Sequence, residues 1–470
     1  MLSISDFTYP KRLSTIGIGI DAFDRLGPEM YFDDYTVLTS STAKWTDDFI
    51  SLKGKVFSLF DFQSDLTLTK HNTESILRET NWQKIKQKLN VKQLLIYKPT
   101  SFKDEFESKY GIRLLANDWK LAEKLENKIH FRTIFNSLIS IPKFHCLSLD
   151  ELRPLSFEKL LLRLHLPKTT KIVIQDSILS GGKGTFFINN QDDFLRFIQD
   201  VNLPGSAQLI ASEFIKGQVG SVQCCVTKNG VISLPPQRQI IENPQLTNAG
   251  QLGSEKFNGG QWSPSDYNHE QKEEIKKMAS VVGSYLKTIG YKGIFGIDFI
   301  NAGSRGIFAL EINARLTGMT SVIANIQYSL NQIPLLLFHI LELSDAPYDV
   351  SPRLWSEILE YTFGTLDYGY MILFQNSLET VSLKSVPKSG IYDVLDSRLH
   401  QCISSSYVLK EKNTNDVIVA VNAQKNTAIK SGRRLARLLT TSKVLDKRGD
   451  LTLQARQLVT SLRELLPITA

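Results

Sequence analysis

The sequence predicts a mixed fold, α/β with α+β character, and three observations carry that expectation. Short apolar runs alternate with helical stretches through residues 1–115. Two apolar runs flanking a polar turn spell a β-hairpin over 294–313. A long helical periodicity over 270–288 sits inside the largest mixed section, 200–345. At 470 residues the chain has room for several well-buried cores. With 42% hydrophobic, 10% aromatic and 22% charged residues it is composed like an ordinary globular protein, which argues against disorder. The longest apolar run, 333–338, is far too short to span a bilayer, and the N-terminus lacks the basic-then-apolar layout of a secretory signal. Cys146, Cys224, Cys225 and Cys402 show no ligand spacing; Cys224 and Cys225 are adjacent in a strand-like run and are expected to face opposite ways as buried free thiols. These features favour a reducing cytoplasm and no membrane partner.

In chain order, residues 15–20, 55–59, 94–97 and 111–115 read as strands and 74–89 as a helix, giving a small, mostly parallel layer over residues 1–115. Gly17-Ile18-Gly19-Ile20-Asp21-Ala22 fits a loose dinucleotide fingerprint. Asp21 would set a negative charge beside a pyrophosphate, so a glycine-tolerant strand end is the expected reading. A helical stretch and then a strand-like one fill 117–142, and the strand 172–175 runs into a glycine-rich turn. After about residue 350 short alternating runs such as 417–421 appear, followed by helices at 429–440 and 452–466. The expected segments are therefore 1–115, 116–348 and a separate C-terminal α/β domain at 349–470. Net charge is +7, and the densest basic stretch, 425–448, includes Lys430, Arg433, Arg434, Arg437, Lys443 and Lys447. Without interleaved aromatics it reads as the solvated face of an amphipathic surface helix, not as a nucleic-acid patch.

The chemistry concentrates in the hairpin. Residues 294–300 form one strand, 301–306 the turn and 307–313 the second strand; folding about Ser304 and Arg305 sets Asp298 across from Glu311. Asn313, two residues on, shares that face. Opposed carboxylates repel unless a cation lies between them, and three oxygen donors with no His or Cys suit Mg²⁺ together with phosphate oxygens. A solvated face with scattered acids is the plainer alternative. Upstream, Ser180-Gly181-Gly182-Lys183-Gly184-Thr185 lies between two apolar strands. Its glycines allow close approach of backbone N–H groups to phosphate, and Lys183 adds charge. The spacing is not that of a Walker A loop, and alone the segment is equally a hairpin turn.

Together these segments resemble the ATP-grasp superfamily from about Asn117 to Thr320, most closely at the end, where Glu311-Ile312-Asn313-Ala314-Arg315 matches the family's Glu-x-Asn-x-Arg form. The resemblance implies an ATP-grasp fold with an N-terminal Rossmann-like layer and a small C-terminal domain. It assigns Asp298, Glu311 and Asn313 to the Mg²⁺ of ATP and makes Arg315 available to a substrate carboxylate or phosphate. It gives Lys128, at the end of Leu125-Glu126-Asn127-Lys128, the role of the first nucleotide-binding lysine. Ile141-Pro142 fits the exit from the following helix. Gly181, Gly182, Lys183 and Gly184 correspond to the phosphate-covering loop. Ser212-Glu213-Phe214-Ile215-Lys216-Gly217 corresponds to the hinge that reads adenine, with Glu213 and Ile215 at or beside the base.

Two positions depart from the family pattern. Gln175 stands where a second lysine is usual, so no positive charge comes from that strand unless Lys183 supplies it. Val219 stands where an acid usually holds the ribose, with Gln218 beside it as a substitute. Arg238 lies on a strand where relatives place a base towards the transferring phosphate, or else is a surface arginine on an edge strand. Residues 317–321 start a helix whose free N–H groups would meet an anion, unless Ser or Thr caps them. His130 and His339 fall on helical runs as packing residues. The implied activity is ATP-dependent ligation of a carboxylate to an amine, such as amino acids or peptides, through an acyl phosphate. The alternatives are a Mg·ATP-binding regulatory or scaffolding relative, or the same fold acting on bicarbonate or a phosphate acceptor. No biotin-acceptor motif supports the last, and a homodimer is compatible with the resemblance.

Overall fold

The computed structural model describes residues 6–41, 45–70, 72–179, 184–247, 257–360, 367–409 and 416–469. The apolar runs of the N-terminal segment pair as a five-stranded parallel sheet, in the order Val56–Ser58, Thr36–Thr39, Thr15–Gly19, Gln93–Leu95, Arg113–Leu115. The strand Thr36–Thr39 was not among the expected ones; four residues are too few to show a period. The expected helix over 74–89 is two helices, Thr73–Glu79 and Trp82–Lys88. The break has a local cause. The Asn81 side chain accepts from the Lys84 N–H at 3.2 Å and starts a second helix there. The Gly17–Ala22 stretch is a strand end, as expected: a Cβ on Gly17 would overlap the Tyr35 hydroxyl, and Asp21 is engaged by Arg437 at 2.9 Å.

Two larger antiparallel sheets build most of the rest, beside two short pairs, Phe7–Thr8 with Asp349–Val350 and Ser382–Leu383 with Ile468–Thr469. The smaller has the order Phe144–Ser148, Gln208–Glu213, Ile172–Asp176, Thr185–Ile188. The larger begins Ile307–Asn313, Gly293–Asn301, Gln218–Thr227, Gln237–Ile241, Phe257–Trp262. It continues without a break through Tyr368–Phe374, Arg434–Thr440, Val417–Val421, Gly390–Leu395 and Arg398–Ser404. The ladder thus crosses residue 349, with Gly259 opposite Met371 and Gln261 opposite Gly369. The expected helix over 429–440 is the strand Arg434–Thr440 instead. It is central and covered on both faces, so Leu435 to Leu439 show no alternation, and a short apolar run of that kind fits either element. Arg437 is accordingly buried, paired with Asp21 at 2.9 Å and Asp24 at 3.2 Å, and not on a solvated helical face.

Helix His269–Thr288, opened by an Asn268–Gln271 capping box, covers one face of the larger sheet, and helix Leu335–Leu343 covers the other. Cys224 joins the first core and Cys225 the second, both fully buried, as adjacent strand residues must. His339 packs under the hairpin, its Nδ1 accepting from the Ile294 N–H at 2.9 Å. Helix Leu453–Glu464, capped by Thr452, closes the C-terminal core. Among the described residues no helix is long and apolar enough to cross a membrane.

Candidate active site

Strand Gly293–Asn301 pairs with Ile307–Asn313 so that Asp298 faces Glu311. A bulge beside Asp298 makes that register, since Phe299 pairs with Ala309 and Leu310 is the extra residue. Asp298 is half-buried on the hairpin's cleft face. Its carboxyl is pushed up to about 6 by removal from water and then by the facing Glu311, against hydrogen bonds from Ser221 and Asn313 and the charge of Arg315. The Asn313 Nδ2 donates to Asp298 Oδ2 at 2.9 Å, and Gln239 Nε2 donates to Asp298 Oδ1 at 3.0 Å. The Asn313 oxygen is held by Arg315 Nη2 at 2.7 Å, so its amide must turn for that oxygen to meet an ion at Asp298. No three His, Cys, Asp or Glu side chains gather as a ready-made metal cage among the described residues. Two carboxylates and an amide fit a hard divalent ion that brings phosphate oxygens with it.

The hairpin floors a cleft of about 640 Å³ whose opposite wall is the smaller sheet. Lys128, the first residue of helix Lys128–Phe135 behind its Asn127 cap, is buried at the cleft. Its Nζ donates to the Leu179 carbonyl at 2.7 Å and stands 3.4 Å from Glu311 Oε2. Arg315 reaches the same end, with Nε 3.0 Å from Glu126, Nη1 donating to the Tyr97 hydroxyl at 2.8 Å, and Nη2 on Asn313. Burial pulls its pKa down, but Tyr97, Glu126, Glu311 and Asp298 outweigh this and raise it. Tyr97 comes from the N-terminal layer, so that layer closes one end of the cleft.

The hinge residues Ser212, Glu213, Phe214, Ile215, Lys216 and Gly217 all line the cleft, with Val173, Phe187, Leu310 and Pro142 around them. Glu213 also takes Arg305 of the hairpin turn at 2.9 Å. Gly217 has no room for a side chain, because a Cβ would overlap the Asn301 carbonyl. Gln175 and Thr185 face the cleft, and the Asp176 N–H donates to the Gly184 carbonyl at 2.9 Å, closing the hairpin that carries the glycine loop. Gly181, Gly182 and Lys183 lie outside the described residues.

Arg238 is not with this group. Gln237 and Gln239 line the cleft, and by strand alternation Arg238 turns to the opposite face. There it is buried, 3.5 Å from Asp266 and donating to the Asp446 carbonyl at 2.7 Å. It is neither a phosphate-facing base nor a surface residue. Gln218 turns the same way, its carboxamide against the Arg238 guanidinium, so Val219 alone represents that position in the cleft. Thr317, Gly318 and Met319 line the cleft before helix Thr320–Ser329. Their N–H groups are already partly used: Thr317 N–H meets Thr320 Oγ1 at 2.9 Å and Met319 N–H meets Thr317 Oγ1 at 3.3 Å. Sequence reasoning passed over Gln239, Tyr97, Glu126 and Arg132, all of which lie in or beside the cleft. For Arg132 a signal existed, its place four residues after Lys128.

A family model described as an ATP-grasp domain matches residues 117–319. The L-propargylglycine--L-glutamate ligase of Streptantibioticus cattleyicolor is 32% identical over 87 residues, 18% of this chain and 16% of that ligase, so the match spans only about a sixth of that relative's length. Among solved structures, the biotin carboxylase domain of Hydrogenobacter thermophilus 2-oxoglutarate carboxylase superposes with TM-score 0.58 at 12% identity, covering 91% of this chain and 86% of that one. The N5-carboxyaminoimidazole synthase of Aspergillus clavatus gives 0.55 at 12% identity over 97% and 98%. Phosphoribosylamine--glycine ligase of Thermotoga maritima gives 0.56 at 14% identity over 97% of both chains. At such identities these likenesses show a shared fold.

Proposed function

We propose, on the premise that residues 117–319 belong to the ATP-grasp domain family, that the chain is an ATP-dependent ligase joining a carboxylate to an amine. The observation that carries this reading is the Asp298–Glu311 pair, facing each other inside a cleft that also receives Lys128 and Arg315. Two opposed acids beside two cations suit a Mg²⁺–polyphosphate complex, with Asp298, Glu311 and, once its amide turns, Asn313 as the protein ligands. Bound there, Mg²⁺ would neutralise charge on the transferring phosphoryl group.

The chain's own residues do the positioning. Ile215, Phe214 and Phe187 offer apolar surface for the base, and Glu213 is tied back to the hairpin turn by Arg305. Lys128 sits between the end of the glycine-loop strand and Glu311, where it meets the phosphates; Gly181, Gly182, Lys183 and Gly184 belong over them by resemblance. A carboxylate oxygen of the first substrate attacks the γ-phosphorus, and ADP leaves. The amine nitrogen then attacks the acyl carbon, loses a proton, and inorganic phosphate departs with the former carboxylate oxygen. Arg315 lies at the end where that carboxylate enters; being held by Glu126 and Tyr97, it orients Asn313 and presents a fixed positive charge.

Amino acids are the first substrates to try, because the curated relative is named for joining two of them. Inorganic phosphate and ADP release, screened over amino acids with and without a second amine, tests the proposal. Stimulated release that depends on both substrates is the expected result. Tight Mg·ATP binding with no acid-stimulated release would favour the second reading, a nucleotide-binding relative without turnover. Gln175 and Val219, which replace a charged residue on each side of the nucleotide, are what favour it.

A further inference from the structure

Gln175 brings no charge to a cleft proposed to take a polyphosphate, yet a second cation stands directly behind it. Arg132 lies one helical turn after Lys128 on helix Lys128–Phe135, so both project from one face. It lines the cleft but is only 1% exposed. Its Nη2 donates to Gln175 Oε1 at 3.0 Å. With that oxygen taken, the Gln175 amide nitrogen is turned outward to Thr185 Oγ1 at 3.2 Å. The remaining Arg132 nitrogens, Nε and Nη1, are buried without a hydrogen-bond partner, and among the described residues no carboxylate lies within ion-pair distance of the guanidinium, Glu311 acting on it only from farther off. The Phe144 ring lies beside it, with the guanidinium carbon 5.8 Å from the ring centroid, and the Cys146 thiol, like the charge of Glu311, acts on it without a hydrogen bond. Burial lowers its pKa to about 10, so it stays charged at neutral pH. A buried cation with unpaired donors is a cost to folding that a bound anion removes.

We propose that Arg132 is the phosphate-binding cation that the Gln175 strand lacks: it fixes Gln175 with the amide N–H groups outward and offers Nε and Nη1 to the inner phosphates of the nucleotide. The inference rests on the nucleotide-binding reading above and adds to it a residue outside the assigned set. Gln175 is then not a lost lysine but half of a two-residue replacement. Arg132 also orients it, since the hydrogen bond to Oε1 polarises the amide and strengthens its outward donors.

Calorimetric binding of ADP and of adenosine to wild type and Arg132→Met, in Mg²⁺, tests this. The expected result is a loss of at least about tenfold in ADP affinity with adenosine binding unchanged. The urea midpoint should hold or rise, because an unpaired buried charge is gone. Arg132→Gln gives the same comparison if the Met variant does not fold. Adding Gln175→Lys to Arg132→Met should restore most of the ADP affinity. In the wild-type background Gln175→Lys should gain nothing, because it sets two cations together. Equal ADP affinity in wild type and variant, or parallel loss of ADP, adenosine and stability, overturns the proposal. A wild-type protein that binds neither ADP nor ATP overturns the nucleotide reading itself and this inference with it.

Discussion

His339 shows how one side chain can carry a measurable property of the fold. It is buried beneath the hairpin strand, and its Nδ1 accepts from the Ile294 N–H. Removal from water, followed by the charge of Arg25, pushes its pKa down to about 3 from 6.5. Below pH 6.5 the unfolded chain takes up a proton that the folded chain refuses, so stability present above that pH is lost as pH falls towards the folded value. The slope from this group is about 1.4 kcal/mol per pH unit. His339→Asn keeps an acceptor for the Ile294 N–H without titrating. Urea midpoints between pH 6.5 and 4.5 should therefore fall less steeply in the variant; identical slopes would refute the assignment. At the same scale, the facing of Asp298 and Glu311 was expected from the sequence, but the register at the turn alone would set Leu310 opposite Asp298, and the bulge at Leu310, which no sequence pattern announced, brings Glu311 there. Arg238 was misjudged because its family-like position said nothing of which face it took. Arg132 was passed over although its place four residues after Lys128 marked the shared face; its partner, Gln175, is 43 residues away and gave no local sign.

Among the elements, the turn from Gln208–Glu213 into Gln218–Thr227 sets the distance between the two cleft walls. Gly217 lies against the Asn301 carbonyl with no space for a Cβ. Gly217→Ala must push the hinge off the hairpin, at a cost of about 1–3 kcal/mol. It should weaken adenosine binding more than a change at the phosphate end does. Urea unfolding and adenosine titration check both parts, and unchanged values in both would show that the contact does not set the hinge. Elements with strong periodicity and a cap, such as His269–Thr288 behind Asn268 and Leu453–Glu464 behind Thr452, were readable from the sequence. Arg434–Thr440 was not, since a strand covered on both faces loses the alternation that identifies strands. The break at Asn81 was missed for a different reason: a mid-helix Asn signals a new start only if its side chain finds the N–H three residues on.

Across the whole molecule, one antiparallel ladder runs from the Asp298–Glu311 hairpin to strand Arg398–Ser404, and the N-terminal parallel layer is clasped to it. Arg437 on that ladder holds Asp21 and Asp24 of the N-terminal layer, and Tyr97 of the same layer meets Arg315 at the cleft. A separate C-terminal domain at 349–470 was expected, and the continuation of the sheet across residue 349 was not, because pairing between Phe257–Trp262 and Tyr368–Phe374 spans over a hundred residues and leaves no local pattern. The account depends on the facing acids holding a divalent ion against the nucleotide phosphates. The most direct measurement is calorimetric binding of ATP to wild type and Glu311→Gln, each with and without Mg²⁺. Wild type should bind ATP much more tightly with the ion, and the variant should lose at least about tenfold of that gain while keeping its urea midpoint. Equal Mg²⁺-dependent tightening in both proteins would contradict it.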